Sequence, residues 1–206
     1  MEENGPITNA ILEFITVDSD RRVERFADSY DLVCVVSGSC VYRDGDAEVE
    51  VDKNCIHILT PGSRVVEYRV GSSGHFEKVL MHIDRDALFG RVEVSDRDEQ
   101  RFESAILSGI SSNISIEDLA SMCCYSVSTF KRRFRGRYGM SPHRWMLRCR
   151  LDIAARILGE ARLPINVIAA LCGFINVSHF IATFRRRFGD TPSHVMRRRY
   201  SRASVE

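Results

Sequence analysis

Basic side chains gather twice in the C-terminal half of this 206-residue chain, each time beside two phenylalanines spaced four residues apart. The first group is Lys131, Arg132 and Arg135, and the second is Arg185 and Arg186. If the phenylalanines face inward on a helix, these basic residues form a stripe on its opposite side. Two such stripes are suited to bind the phosphates and base edges of nucleic acid. The competing interpretation is a run of charge on the solvated face of an ordinary helical bundle.

The distribution of charge favours nucleic acid. Residues 1–110 hold 12 Lys and Arg against 22 Asp and Glu, a net charge of −10, whereas residues 111–206 hold 17 against 6, a net charge of +11. The acidic residues that would balance a solvated basic face are therefore scarce in the second half. This asymmetry predicts two domains with different partners. The composition, with 44% hydrophobic and 28% charged residues, is that of a globular protein.

Metal and nucleophile chemistry is not predicted. His57, His75 and His82 lack the H-x-H spacing with a downstream Glu and His that a catalytic cupin uses, so we expect surface or packed side chains. Neither a Ser/His/Asp arrangement nor a P-loop is present. The cysteines contain no C-x2-4-C pair for zinc, and we expect reduced, mostly packed thiols. These seven cysteines are Cys34, Cys40, Cys55, Cys123, Cys124, Cys149 and Cys172.

The first half of the chain predicts β-strands. Short runs rich in β-branched residues are separated by turn signals such as Pro61-Gly62-Ser63. The alternation of apolar and acidic residues in Ala47–Val51 predicts a strand with one wet face and one buried face. Strands at this spacing indicate a small antiparallel sandwich or barrel. The predicted strands are Ile11–Val17, Leu32–Val36, Cys40–Tyr42, Ala47–Val51, Cys55–Leu59, Arg64–Val70 and Phe76–Ile83.

The second half changes to a helical period and contains an internal repeat. Residues 120–142 align with residues 169–192. The matched pairs are Ala120 with Ala169, Cys123 with Cys172, Phe130 with Phe180, Phe134 with Phe184, Gly139 with Gly189 and Pro142 with Pro192. Each unit predicts a short helix, a tight turn and a second helix that ends at a glycine. The second helices are predicted at Ser126–Tyr138 and Val177–Phe188.

A helix predicted at Pro142–Leu158, about 25 Å long, would hold the two units apart rigidly. Two helix-turn-helix units on such a connector predict a DNA-reading device, because helices about 34 Å apart enter successive major grooves. Cys124 occupies the place of Gly173 in the repeat, so we expect the first turn to be strained or differently shaped. We also expect Cys123 and Cys124 to pack against Phe130 rather than to sense redox state.

These residues resemble the AraC/XylS family of bacterial transcription regulators. The resemblance covers about Asn113–Arg199, and Gly173–Val195 (GFINVSHFIATFRRRFGDTPSHV) is similar to the signature of the family's second unit. It implies a seven-helix DNA-binding domain, preceded in many members by a cupin-like β-barrel that binds an effector or mediates dimerisation. We therefore expect an α+β protein of two domains. Its parts are a β-rich, cupin-like regulatory domain at residues 1–95, a helix and linker for dimerisation at 96–112, and a double helix-turn-helix domain at 113–206.

The resemblance also implies roles for individual residues. Bases are expected to be read by outward residues near the start of each recognition helix, which are Ser128, Thr129, Lys131 and Arg132, then Asn176, Ser178, His179 and Ala182. Arg132 is expected to be the strongest reader, because arginine pairs bidentately with guanine. Ala182 replaces the long polar residue of some members, so the second unit is expected to depend more on phosphates and DNA shape. The expected phosphate contacts are Arg135, Arg185 and Arg186.

The sequence therefore predicts a cytoplasmic bacterial transcription regulator, an activator rather than a repressor, that binds double-stranded promoter DNA. Contact with RNA polymerase, a homodimer and a small-molecule effector are expected from the resemblance, whereas no cofactor, metal or membrane segment is predicted. The alternative is a cupin-type metalloenzyme with an accessory DNA-binding tail. Four basic residues of the strands are expected to be ordinary surface charge, with an acidic effector as the alternative partner. These are Arg43, Lys53, Arg64 and Lys78.

Overall fold

A computed structural model describes residues 10–44, 47–51, 53, 56–70, 72–89, 97–111, 114–161 and 163–203. Within these residues, eight β-strands come first and eight α-helices follow. The strands are β1 (Ile11–Val17), β2 (Arg21–Ala27), β3 (Tyr30–Ser37), β4 (Ser39–Asp44), β5 (Ala47–Val51), β6 (Ile56–Leu59), β7 (Gly62–Arg69) and β8 (Phe76–Ile83). The helices are α1 (Arg85–Phe89), α2 (Arg97–Ser111), α3 (Ile116–Met122), α4 (Val127–Tyr138), α5 (Pro142–Glu160), α6 (Ile165–Leu171), α7 (Val177–Phe188) and α8 (Pro192–Ala203).

The strands form two four-stranded antiparallel sheets, ordered β1-β8-β3-β6 and β2-β7-β4-β5. Val33, Val35 and Leu80 of the first sheet pack with Val66 and Tyr68 of the second. The sheets are not closed on each other, so the predicted antiparallel β-domain is confirmed as a sandwich rather than a barrel.

Two features of the sandwich differ from the sequence prediction. Strand β2 is not predicted, because its residues RRVERFA include three arginines and a glutamate, yet it pairs with β7 along its whole length. The alternation in β5 predicts a buried apolar face, but Val49 is 43% exposed and only Val51 is buried. The two strands are the opposite edges of the second sheet, where each has a hydrogen-bonded neighbour on one side only. The predicted positions Cys55 and Asn113 lie outside the described residues.

The central strands of the first sheet, β3 and β8, are buried on both faces. Along β3, Val33 and Val35 face the second sheet, whereas Leu32 and Cys34 belong to a larger core that includes the helices. Helix α6 contacts β3, α5 contacts β1 and α2 contacts β6. The β-rich half and the helical half therefore share one continuous hydrophobic core. The domain boundaries given above stay a prediction.

The repeated helical units are confirmed. Helices α4 and α7 each contain 12 residues, begin at N-caps Ser126 and Asn176, and end at left-handed glycines Gly139 (φ 69°) and Gly189 (φ 75°). The 19-residue connector α5 spans about 28 Å at 1.5 Å per residue. Six described helices lie within residues 113–206, and the seventh that the family pattern implies is α2, which packs against α3 and α5.

The turn between the two helices contains a left-handed residue at the matched position of both units. Cys124 has φ 57° and Gly173 has φ 75°, so a residue with a Cβ atom occupies a left-handed position in the first unit. The expectation of strain at Cys124 is therefore met, and the turns also differ in length, because the N-cap follows Cys124 by two residues and follows Gly173 by three. Cys123 is buried, but Cys124 is exposed, so the expected packing of Cys124 was wrong. Its backbone conformation directs its side chain into solvent.

Lys78 is fully buried between the sheets, where ordinary surface charge was expected. Its ammonium donates a hydrogen bond to the Tyr42 hydroxyl at 2.6 Å and lies 5.1 Å and 4.9 Å from the ring centroids of Tyr42 and Tyr68. Burial lowers the pKa of Lys78 from 10.5 to about 8. Arg64 is also buried and donates to the carbonyl of Thr60. Arg43 pairs with Glu48 at 2.9 Å, and Lys53 is exposed.

Replacing Lys78 with methionine is expected to raise the free energy of unfolding by about 1–3 kcal/mol at pH 7. The folded protein releases the Lys78 proton near pH 8, whereas the unfolded chain retains it up to about pH 10.5. The loss of stability that results from burying the charged ammonium is therefore fully present below pH 8 and decreases as the pH rises toward 10.5. The gain measured by urea unfolding should therefore shrink between pH 8 and pH 10. The control Lys53→Met should change stability by less than about 0.5 kcal/mol. A Lys78→Met gain that does not depend on pH would contradict this account.

Replacing Cys124 with glycine is expected to raise the free energy of unfolding by about 1 kcal/mol, because glycine adopts a positive φ without a steric penalty. The converse change, Gly173→Ala, should lower it by a similar amount. The atoms nearest to a Cβ added at Gly173 belong to the Arg150 guanidinium, at 3.5 Å, which is ordinary van der Waals contact, so backbone strain accounts for the loss. Thermal unfolding of both variants tests the pair, and equal effects of the same sign would refute it.

Candidate nucleic-acid interface

The rotation of α4 and α7 is set by their buried phenylalanines. Phe130 and Phe134 have ring centroids 5.8 Å apart, and Phe180 and Phe184 have centroids 5.7 Å apart. All four rings are at most 1% exposed. Residues on the opposite side of each helix must therefore face solvent.

The predicted base-reading residues lie on these outward faces. All are exposed except Thr129, which is half-buried. The exposed members are Ser128, Lys131 and Arg132 on α4, and Asn176, Ser178, His179 and Ala182 at or on α7. The structure thus places them on two separate outward faces, one for each repeated unit. Their roles in reading bases stay predictions.

Two of these side chains, those of Thr129 and Asn176, also form hydrogen bonds at the starts of the helices. The Ser126 hydroxyl accepts a hydrogen bond from the Thr129 amide at 3.2 Å and donates to the Thr129 hydroxyl at 2.9 Å. In the second unit, Asn176 Oδ1 accepts from the His179 amide at 3.0 Å. This N-cap occupies the carbonyl of Asn176 and leaves its amide NH₂ as the group that would contact a base.

The predicted phosphate contacts Arg135, Arg185 and Arg186 are exposed in the last turns of their helices. Together with Lys131 and Arg132, they form no ion pair with any carboxylate in the described residues. The outward faces therefore carry positive charge that the fold does not neutralise.

Arg187 follows two exposed arginines but faces inward. Its Nε donates to Asp152 Oδ1 at 3.0 Å, and Asp152 is only 6% exposed in the middle of α5. Burial raises the pKa of Asp152, whereas the hydrogen bond and charge of Arg187 lower it. The pair connects the second recognition helix to the connector, so the run Arg185-Arg186-Arg187 is not a single solvated face.

In the first unit, the largely buried Arg137 and the exposed Arg133 both meet acidic residues of α2. Arg137 pairs with Glu99, lies 3.9 Å from Glu103, and donates through Nε to the carbonyl of Phe89 at 3.1 Å. Arg133 Nη2 donates to Glu99 Oε2 at 3.2 Å. The counterions that are scarce in the second half of the sequence are thus supplied from residues 97–111.

The structure can be compared with the expectation that His57, His75 and His82 do not form a metal site. Among the described residues, no group of three His, Cys, Asp or Glu side chains could hold a metal ion. His82 Nδ1 lies 2.7 Å from Asp31 Oδ1, and His75 Nδ1 lies 3.1 Å from the carbonyl of Ser73. His57 is half-buried in β6. In the same part of the chain, no helix has the length and apolar character needed to cross a membrane.

Solved structures with similarity to this chain include two transcription-factor domains. The DNA-binding domain of the global transcriptional factor AdpA, solved with a target DNA, is 28% identical, with a TM-score of 0.48 over 52% of this chain and 96% of that one. A probable AraC family regulator from Rhodopseudomonas palustris is also 28% identical, with a TM-score of 0.43 over 50% of this chain and 98% of that one.

Sequence comparison identifies the helical half. Residues 119–198 match a family model described as a helix-turn-helix domain. The probable transcriptional regulator LumQ of Photobacterium leiognathi is 32% identical over 106 residues, which are 52% of this chain and 43% of LumQ. The virulence regulon transcriptional activator VirF of Yersinia enterocolitica is 40% identical over 67 residues, 32% of this chain and 25% of VirF. The matches thus span less than half the length of these relatives. The helical half of the chain is therefore similar to the helix-turn-helix domains of these transcription regulators, and the family match extends over residues 119–198.

Proposed function

We propose that this protein is a sequence-specific transcription regulator that binds double-stranded promoter DNA through α4 and α7. The observation that carries the proposal is the pair of outward faces whose basic residues form no ion pair in the described structure. Because α5 joins the units rigidly, α4 and α7 would enter successive major grooves on one side of the duplex.

The two faces are proposed to divide the work of recognition. Lys131 and Arg132 lie near the middle of α4, where their side chains reach base edges, and Arg132 provides the bidentate geometry that suits guanine. Arg135, Arg185 and Arg186 lie nearer the helix ends and would contact phosphates, which position the protein without reading sequence.

The β-rich half is proposed to tune DNA binding through α2. Glu99 and Glu103 of α2 contact arginines on the inner side of α4, and Glu103 also pairs with Arg85 beside the sandwich. A small effector or a second protomer acting on the sandwich would shift α2 and therefore α4. Because VirF is named as an activator, we favour activation by contact with RNA polymerase. Binding to the bacterial chromosome places the protein in the cytoplasm.

No enzymatic activity is proposed. The alternative, a cupin-type metalloenzyme with an accessory DNA-binding tail, requires a stoichiometric transition metal in the β-rich half. Elemental analysis of the purified full chain separates the two functions, because a bound metal at one equivalent would favour the enzyme.

Selection of the full chain on randomised duplex DNA, at about 150 mM salt, is expected to enrich an asymmetric site with two conserved patches about one helical turn apart. The full chain is needed because a fragment that begins within α2 would lose Glu99 and Glu103. In Arg132→Ala, one patch should lose its preference while the other persists. Salt-sensitive binding without sequence preference would refute promoter recognition.

Arg185 and Arg187 provide a matched pair, because they lie two residues apart on α7 and face opposite ways. Arg185→Ala should weaken DNA binding, reduce the slope of log K against log salt by about 1, and leave stability within about 0.5 kcal/mol. Arg187→Ala should instead lower the free energy of unfolding by roughly 2–3 kcal/mol, because Asp152 is left buried without its partner. Urea unfolding and salt titrations of binding measure both effects. Equal loss of stability in the two variants would contradict the assignment.

A further inference from the structure

Ile175 is 95% exposed, which is unusual for a large apolar side chain. It lies between Phe174, which is 7% exposed and packs against Phe180, and Asn176, the N-cap of α7. Flanked by these two anchored residues, Ile175 is held at the entrance of the second recognition helix. The exposed residues Ser178 and Ala182 lie on α7, which begins two residues after Ile175.

The first unit has no counterpart of Ile175. Tyr125 corresponds to Phe174, because their amides donate to the carbonyls of the matched alanines Ala120 and Ala169, so Ile175 is the one residue by which the second turn is longer. Within the recognition helices, Arg132 corresponds to Ala182 at the repeat offset of 50. At this position the first unit presents a charged hydrogen-bond donor, whereas the second unit presents a methyl group and adds the exposed Ile175.

We infer that the second unit reads thymine methyl groups through Ile175 and Ala182. This inference rests on the proposed function. In the major groove, the C5-methyl of thymine is the one apolar group on a base edge, and apolar side chains recognise it by contact. The exposed Arg185 and Arg186 on the same helix would hold the backbone while contributing no preference for guanine. The half-site under α4 should accordingly contain guanine, and the half-site under α7 should contain thymine.

The charge of the surroundings selects DNA over a protein as the partner of Ile175. A protein-binding patch has a contiguous apolar centre, whereas Ile175 is followed in the sequence by the exposed polar residues Asn176, Ser178 and His179 and then by arginines. These neighbours match an anionic partner with small apolar groups at its base edges.

The test replaces thymine with deoxyuridine, which removes only the methyl group. On the site selected by the full chain, changing a contacted thymine under α7 to deoxyuridine should lower the affinity of the protein for that site about three- to fourfold. Ile175→Ala should bind the thymine site more weakly, and the thymine-to-deoxyuridine difference at its contacted position should disappear. The same base change under α4 should alter affinity less than about twofold. Because Ile175 is exposed in a turn, the variant should keep the wild-type melting temperature.

Two results would overturn the inference while leaving the proposed function intact. One is a specific site whose affinity does not respond to deoxyuridine under α7. The other is an Ile175→Ala variant that keeps the full thymine preference but fails to activate transcription, since that would assign Ile175 to a protein partner. Failure to select any specific site would instead refute the proposed function, and this inference with it.

Discussion

The burial of two phenylalanines in each recognition helix is the constraint on which the interface depends. Each pair lies four residues apart, so both rings point to the same side of the helix and fix its rotation against the core. Once that rotation is fixed, every other side chain of α4 and α7 has a determined direction. The exposure of the residues predicted to read bases and the inward direction of Arg187 are both consequences of this packing.

Buried carboxylates then sort the arginines into two groups. Asp152 takes Arg187, and Glu99 takes Arg133 and Arg137, while Arg135, Arg185 and Arg186 stay exposed. The sorted arginines connect each recognition helix to a different support, α5 in the second unit and α2 in the first. An arginine that pairs with a buried carboxylate could bind a phosphate only by leaving that carboxylate unpaired, which costs free energy. The paired and unpaired arginines therefore differ in the free energy needed to bind DNA as well as in the direction they face.

The arrangement of α2 gives the first unit a connection that the second lacks. Phe102 of α2 lies 5.6 Å from the ring of Phe130, and Arg137 reaches the carbonyl of Phe89 at the end of α1. Strands β3 and β8 of the first sheet are buried on both faces and extend the same core toward α5 and α6. A change in the sandwich would therefore reach α4 through the packed side chains and ion pairs of α2, and it would reach α7 through α6, which contacts both β3 and α7.

The sequence by itself determined the repeated units, because their phenylalanines, caps and glycines are local signals read within one helix and its turn. It also determined the strand character of the first half, and it indicated an unusual turn at Cys124, which the repeat aligned with a glycine. Only the tertiary structure decided which arginines are paired with carboxylates and which are not. The partners of the paired arginines lie 34 to 38 positions away in the sequence, in other helices. The tertiary structure likewise decided the place of β2, Lys78 and Ile175. Their environments depend on residues that are distant in the sequence. Hydrophobic periodicity cannot predict a buried lysine or an exposed isoleucine, because it assumes that apolar residues are buried and charged residues are exposed.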